Sequence, residues 1–278
     1  MKFKLKQEKL EELLEKMLVV DIFPSSVFSI RKDGKTGKPV IFSIQRDVHG
    51  RAMRYMKVKD TFFDEIDDVD KQESIEIDVN RVMNSIKKIR PGTLLTVETA
   101  GNKLQISGKY EKTDDDGKVT RAKNLSVNIT FKEPETIETN LPFEFKNGVP
   151  VVGKKEVALD VTLNINNEDF KDLTEYASTV KTDFYMFSVT KESPLNVRVG
   201  NLHDFSDYWT YEPDYNLESG EELSVILSFG IPQISKTFRH DVSMRAFTDA
   251  PAWIYEHTDD YTLGILIPPY IPTEEETF

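Results

Sequence analysis

The chain contains no cysteine, which excludes a disulfide framework, Cys-ligated zinc, an iron–sulfur cluster and a thiol nucleophile, and fits a reducing cytosol. No stretch approaches the roughly 18 consecutive apolar residues of a membrane helix. The opening MKFKLKQEKLEELLEKMLVV is interrupted by charges throughout, which breaks any signal-peptide core. The expectation is a soluble, intracellular protein with no membrane partner. Histidine is scarce: His49, His203, His240 and His257 are scattered, and no pair has metal-ligand spacing. There is no Gly-x-x-x-x-Gly-Lys loop and no Gly-x-Ser-x-Gly elbow. The acidic runs DEIDDVD and TDDDG read as solvated turns, the second lacking the bidentate Glu that ends a calcium loop. SDYWTYEPDY is rich in aromatics and acids, but no opposed carboxylate pair can be placed against it for sugar chemistry. No catalytic residue, metal or cofactor is expected, and the chain does not read as an enzyme.

Positive charge is also in deficit. Asp and Glu outnumber Lys and Arg by 48 to 36, a formal net charge of -12, so the average surface repels nucleic acid and any contact with it must be local. One such locality stands out: VNRVMNSIKKIRPGTLLTVE gathers Arg81, Lys87, Lys88 and Arg90 around one short helix.

Helical periodicity is confined to four segments. Leu10, Leu13, Leu14, Met17 and Leu18 share a face over Glu8 to Leu18, and Val82, Met83 and Ile86 do so over Val79 to Ile89. NNEDFKDLTEYASTV has a capping Asn166 or Asn167, acids in its first turn, and Phe170, Leu173, Ala177 and Val180 as its buried stripe. IPQISKTF is a two-turn candidate with Pro232 where a first helical turn tolerates it. Against these stand thirteen short β-branched or aromatic segments separated by turn clusters. With no helix between most successive strands, the sheets must be mainly antiparallel, which defines an α+β fold.

The order nearly repeats. A shift of about 148 residues sets Ile86 against Ile234, Leu94 against Val242, Leu104 against Ala252 and Ile106 against Ile254. Two similar domains of antiparallel sheet, with two short helices each, are the simplest account: residues 1–131 and 155–278, joined by a proline- and glycine-bearing connector over 132–154.

FFDEI followed by IEIDVNRVMNSIKKIRPGTLLTVE and KLQISG resembles the first domain of the proliferating-cell-nuclear-antigen (PCNA) type of DNA sliding clamp. SIQRDVHGRAMRYMKV is similar to the strand-loop-strand of that family, RAFTDAPAWIYEH to its Asp-x-Pro strand pair, and TLGILIPPYIPTEEE to its last strand and acidic tail. Departures are the longer loop KDGKTGK, the polar His49-Gly50-Arg51, and Pro268 in place of the usual Ala. The resemblance implies the ring-forming DNA-clamp fold and a non-catalytic processivity factor. Such a factor encircles duplex DNA without sequence specificity and tethers DNA polymerase and other replication and repair proteins; the alternative is a clamp-fold protein-interaction subunit that does not encircle DNA.

It further implies a homotrimer, or a heterotrimer with sister chains, opened by a clamp loader. Its DNA-facing cations would be Arg81, Lys87, Lys88, Lys236, Arg239, Lys171 and Lys16, with Lys2, Lys4 and Lys6 adding to the field. The pocket for clamp-binding peptides would be formed by His49, Gly50, Ile137, Leu141, Pro251, Leu266, Pro268 and Pro269. Ring closure would pair KLQISGKYEK, or a neighbouring strand, with DFYMFSVT of the next subunit.

Overall fold

The computed structural model of the chain describes residues 1–18, 23, 25–47, 49–113, 119–135, 137, 143–147, 149–153, 156–180, 184–190, 192–200, 208–228 and 231–271. For 111–113, 119–122, 145, 178, 180, 232 and 233 it describes the backbone alone. The elements run β1 (Lys2–Lys6), α1 (Gln7–Met17), β2 (Ser25–Lys32), β3 (Pro39–Arg46), β4 (Met53–Val58), β5 (Glu65–Ile66), β6 (Glu73–Asp78), α2 (Val79–Ile86), β7 (Leu94–Ala100), β8 (Lys103–Thr113) and β9 (Val119–Thr130). They continue with β10 (Phe143–Lys146), β11 (Val149–Val152), β12 (Val157–Ala158), β13 (Val161–Ile165), α3 (Asn167–Val180), β14 (Tyr185–Val189), β15 (Asn196–Gly200), β16 (Tyr208–Tyr211), β17 (Tyr215–Ser219), β18 (Leu223–Leu227), α4 (Ile231–Ser235), β19 (Val242–Ala246), β20 (Ala252–His257) and β21 (Tyr261–Ile267).

Two compact units emerge, one of residues 1–45, 56–137 and 258–261, the other of 46–55, 138–257 and 262–278. The first has a sheet ordered β5-β1-β7-β8-β9 and a second ordered β4-β3-β2-β6, to which it contributes residues 56–58 of β4. The second unit repeats both orders, as β17-β13-β19-β20-β21 and β16-β15-β14-β18. In each, two helices pack side by side, α1 with α2 and α3 with α4. The sequence repeat maps onto this: Ile86 and Ile234 are both 0% exposed on α2 and α4, and Ile106 and Ile254 occupy the cores under β8 and β20.

Local chemistry explains the elements. In β1, Phe3 and Leu5 enter the core while the alternating lysines stay outside, the period-two pattern of a half-buried strand. Alternating lysine also marks a solvated tail, so the sequence alone does not distinguish this strand. α2 starts where the Asp78 carboxylate accepts the Arg81 N–H at 3.0 Å, and it buries Val79, Val82, Met83 and Ile86. α3 opens on a reciprocal cap: Asn166 accepts the Asp169 N–H at 2.8 Å and donates its own amide to the Asp169 carboxylate at 2.6 Å. In the region expected to be the connector, β10 and β11 form a hairpin, to which β12 adds on the other side of β11.

The expected closing strands need one correction. DFYMFSVT forms β14, which is hydrogen-bonded to β15 on one side and β18 on the other, so it has no free edge. KLQISGKYEK forms β8, likewise paired on both sides, and its neighbour β9 is the edge. In the second unit the edges of the four-stranded sheet are β16 and β18.

Candidate functional site

The first candidate surface is the outer face of the helices. Burying Val82, Met83 and Ile86 turns Arg81, Asn84, Lys87 and Lys88 to solvent. None of the described ion pairs involves Arg81, Lys87, Lys88, Lys171 or Lys236. Arg90 behaves differently: its guanidinium lies over the Tyr110 ring at 4.7 Å and donates to the Tyr110 hydroxyl.

In the second unit, Ile231 and Ile234 anchor α4 and leave Lys236, Arg239 and His240 exposed just past its end. The Glu256 carboxylate, 0% exposed, fixes that end by accepting the backbone N–H groups of Arg239 and His240, the latter at 2.8 Å. This positioning role was not visible in the sequence, because Glu256 belongs to a strand that reads as ordinary alternation.

α1 and α3 are not basic. On α3, Lys171 is exposed beside Glu168, Asp172 and Glu175. On α1 the Glu8 carboxylate accepts the Gly92 N–H at 2.8 Å, and that bond holds it below the usual carboxylate range. Lys16 must be removed from the DNA-facing set. It is 1% exposed; its ammonium donates to the Tyr261 hydroxyl at 2.8 Å, lies 4.2 Å from that ring centroid, and pairs with Glu12 at 3.5 Å. An ammonium held inward in this way cannot reach a phosphate.

The second candidate surface is a depression of the second unit with a cavity of about 120 Å³, lined by Arg46, Gly50, Ala52, Met53, Pro251, Leu266 and Pro268. Gly50, Pro251, Leu266 and Pro268 were expected there; Arg46, Ala52 and Met53 were not, although the apolar pair following a polar turn is their signal. The cavity is well below the 300 to 1,000 Å³ of typical small-molecule sites and suits a single anchoring side chain.

The turn at its rim is closed by Asp47, whose carboxylate accepts the His49 N–H at 3.1 Å and the Arg51 Nε at 3.0 Å. Burial alone would raise the Asp47 carboxyl, but the Arg51 side chain and the backbone N–H groups of Arg51 and His49 outweigh it and hold the group low. Gly50 adopts φ +70°, which glycine takes without strain. His49 and Pro269 do not line the cavity. Ile137 is 38% exposed and belongs to the first unit, and Leu141 lies outside the described residues.

Among the described residues no group of three His, Asp or Glu side chains could hold a metal ion, and no helix is long and apolar enough to cross a membrane. No family model matches the sequence, and no curated protein does. Solved structures do. PCNA from Thermococcus kodakaraensis superposes with a TM-score of 0.71 at 15% identity, covering 97% of this chain and 99% of that one. PCNA of A. fulgidus, solved with the C-terminal region of FEN-1 bound, gives 0.70 at 14% identity over 98% and 99% of the two chains. PCNA from Entamoeba histolytica gives 0.74 at 12% identity over 97% and 98%. Two repeated units, each of two sheets and two helices, matched over almost their full length, give this chain the PCNA-type clamp fold.

Proposed function

We propose that the chain is a DNA sliding clamp: a non-catalytic processivity factor that encircles duplex DNA and tethers DNA polymerase and other replication and repair proteins. The observation that carries this reading is charge placement. In a chain of net charge -12, Arg81 on α2 and Lys87 and Lys88 just past it stand exposed and outside every described ion pair, and Lys236 and Arg239 are exposed just past α4, with Lys236 at the repeat position of Lys88. Exposed cations at repeated positions of a ring-forming fold fit weak, salt-sensitive contact with phosphates, which permits sliding because no base is read.

In this reading residues 1–131 and 155–278 are the two clamp domains and 132–154 their connector. Three chains close the ring, a clamp loader opens it, and the protein works in the cytoplasm or nucleoid, or in the nucleus of a eukaryote. The depression around Gly50, Pro251, Leu266 and Pro268 receives clamp-binding peptides; the peptide-bound PCNA of A. fulgidus supports this by analogy. Stimulation of a polymerase on long primed templates tests the reading. The chain should lengthen products at low salt, and Arg81→Glu with Lys88→Glu should abolish the effect; products unchanged by the chain at every concentration would count against it.

A second reading, a clamp-fold interaction subunit that does not encircle DNA, draws on the acidic α3 face and the inward-turned Lys16. It predicts partner binding that survives both charge reversals, with no DNA retention in either protein.

A further inference from the structure

Resting on the peptide-binding reading of the depression in the second unit, we infer that Arg46 sets its specificity, selecting partner peptides that carry an Asp or Glu beside their apolar anchor. An apolar side chain could enter the depression whatever stood at position 46; Arg46 adds a choice of neighbour. The lining is the first reason. Among the described residues that form it, Ala52, Met53, Pro251, Leu266 and Pro268 are apolar, Gly50 brings no side chain, and Arg46 carries the one charge. A guanidinium is weakly hydrated and offers a carboxylate two parallel donors, so beside apolar walls it is well suited to pair with an acid.

The turn is the second reason, because it fixes where that charge stands. Arg46 is exposed and is the last residue of β3. The next residue, Asp47, donates its N–H to the Ala52 carbonyl at 2.9 Å and accepts the Gly50 N–H at its own carbonyl at 2.8 Å. These two bonds tie the backbone after Arg46 to Gly50 and Ala52, two other lining residues. The Asp47 carboxylate is buried and pairs with Arg51 at 3.0 Å, so the two together present little net charge to a ligand. Asp249, the exposed acid of the turn before Pro251, lies outside the lining.

Size is the third reason. A space of about 120 Å³ takes one side chain, so the rest of a bound peptide lies along the rim. Successive Cα atoms are about 3.8 Å apart, which keeps a residue one or two places from the anchor within reach of an arginine at that rim. An acid there gains an ion pair and a lysine meets repulsion. In a chain of net charge -12 this local preference opposes the average field, which by itself would favour basic peptides.

Peptide selection tests the inference. A displayed library with one fixed leucine and randomised flanks is selected in parallel on the unaltered chain, Arg46→Ala and Arg46→Glu, so that repulsion from the rest of the surface cancels in the comparison. Asp and Glu should be enriched beside the leucine on the unaltered chain, lose that enrichment on Arg46→Ala, and give way to Lys and Arg on Arg46→Glu. A selected peptide is then made with an amidated C-terminus, so that only side-chain acids contribute, and its Kd is read by fluorescence polarisation. Changing its acid to alanine should weaken binding to the unaltered chain about 2- to 5-fold, the range of an exposed ion pair, and leave binding to Arg46→Ala unchanged. Arg46→Lys should keep part of the preference, having the charge without the fork. Photo-leucine at the anchor position should crosslink to the residues of the depression. Crosslinks there with equal acid enrichment on the unaltered chain and Arg46→Ala, or with none on either, would overturn the role of Arg46 and leave the peptide site intact. Crosslinks elsewhere, or no leucine-dependent peptide at all, would overturn the inference and the peptide-binding reading together.

Discussion

Glu256 joins stability to the basic end of α4, and its replacement is the most informative single change in the second unit. Its buried carboxylate accepts two backbone N–H groups, of Arg239 and His240. Hydrogen bonds to a charged acceptor contribute about 1.5 to 3 kcal/mol each, which sets the gross loss in Glu256→Ala at about 3 to 6 kcal/mol. Two effects offset it: the alanine variant no longer keeps a carboxylate out of water, and solvent entering the gap rehydrates part of the freed N–H groups. The net cost should be about 2 to 4 kcal/mol, as for other broken buried networks. At a urea slope of about 2 kcal/mol per molar, the midpoint of the second unit falls by about 1 to 2 M. Glu256→Gln, which keeps an acceptor and loses the charge, should fall between. Urea titration followed by circular dichroism and Trp253 fluorescence measures all three proteins. A loss below about 0.5 kcal/mol in Glu256→Ala would refute the claim that this carboxylate holds the α4 end.

Other outcomes follow from the same contacts. Lys16→Met should leave DNA retention unchanged because the ammonium faces Tyr261, whereas Lys88→Glu should weaken it and flatten its salt dependence; equal losses in a retention assay would restore Lys16 to the DNA face. The Asp47 carboxyl is held below its ordinary value of 3.8 in the folded chain, so its contribution to stability is complete above that pH and is lost as pH falls through the lower folded value. Acid titrations of the chain and of Asp47→Asn should therefore converge at low pH, and parallel curves would contradict this. At Gly264 an added Cβ meets the Trp253 ring at 2.3 Å, so Gly264→Ala should destabilise the second unit by about 1 to 3 kcal/mol on thermal melting, with no loss expected only if Trp253 can retreat.

What could be read from the sequence was whatever depends on local periodicity. The leucine stripe of α1, the Val82-Met83-Ile86 stripe of α2 and the 148-residue offset all carry their signal within a turn or two, or by self-comparison. β1 was hidden because strand and solvated tail share the pattern of alternating lysine, and only burial of Phe3 and Leu5 separates them. The inward turn of Lys16 depends on Tyr261, which is 245 positions away and cannot be inferred from helix spacing. The edge status of β16 rather than β14 is a property of sheet order, which no strand's own residues encode. Part of the pocket was legible because Gly50, Pro251 and Pro268 sit at turn signals, while Arg46, Ala52 and Met53 enter through the way the 46–55 segment packs.

The central claim, that the exposed cations on and just past α2 and just past α4 face a duplex passing through a closed ring, is tested most directly by retention on DNA of two topologies. The protein, loaded onto a nicked circular plasmid and passed down a sizing column at moderate salt, should co-elute with the circle and come off when a single restriction cut linearises it. Equal retention on circle and linear DNA, or none on either after loading, would contradict the account.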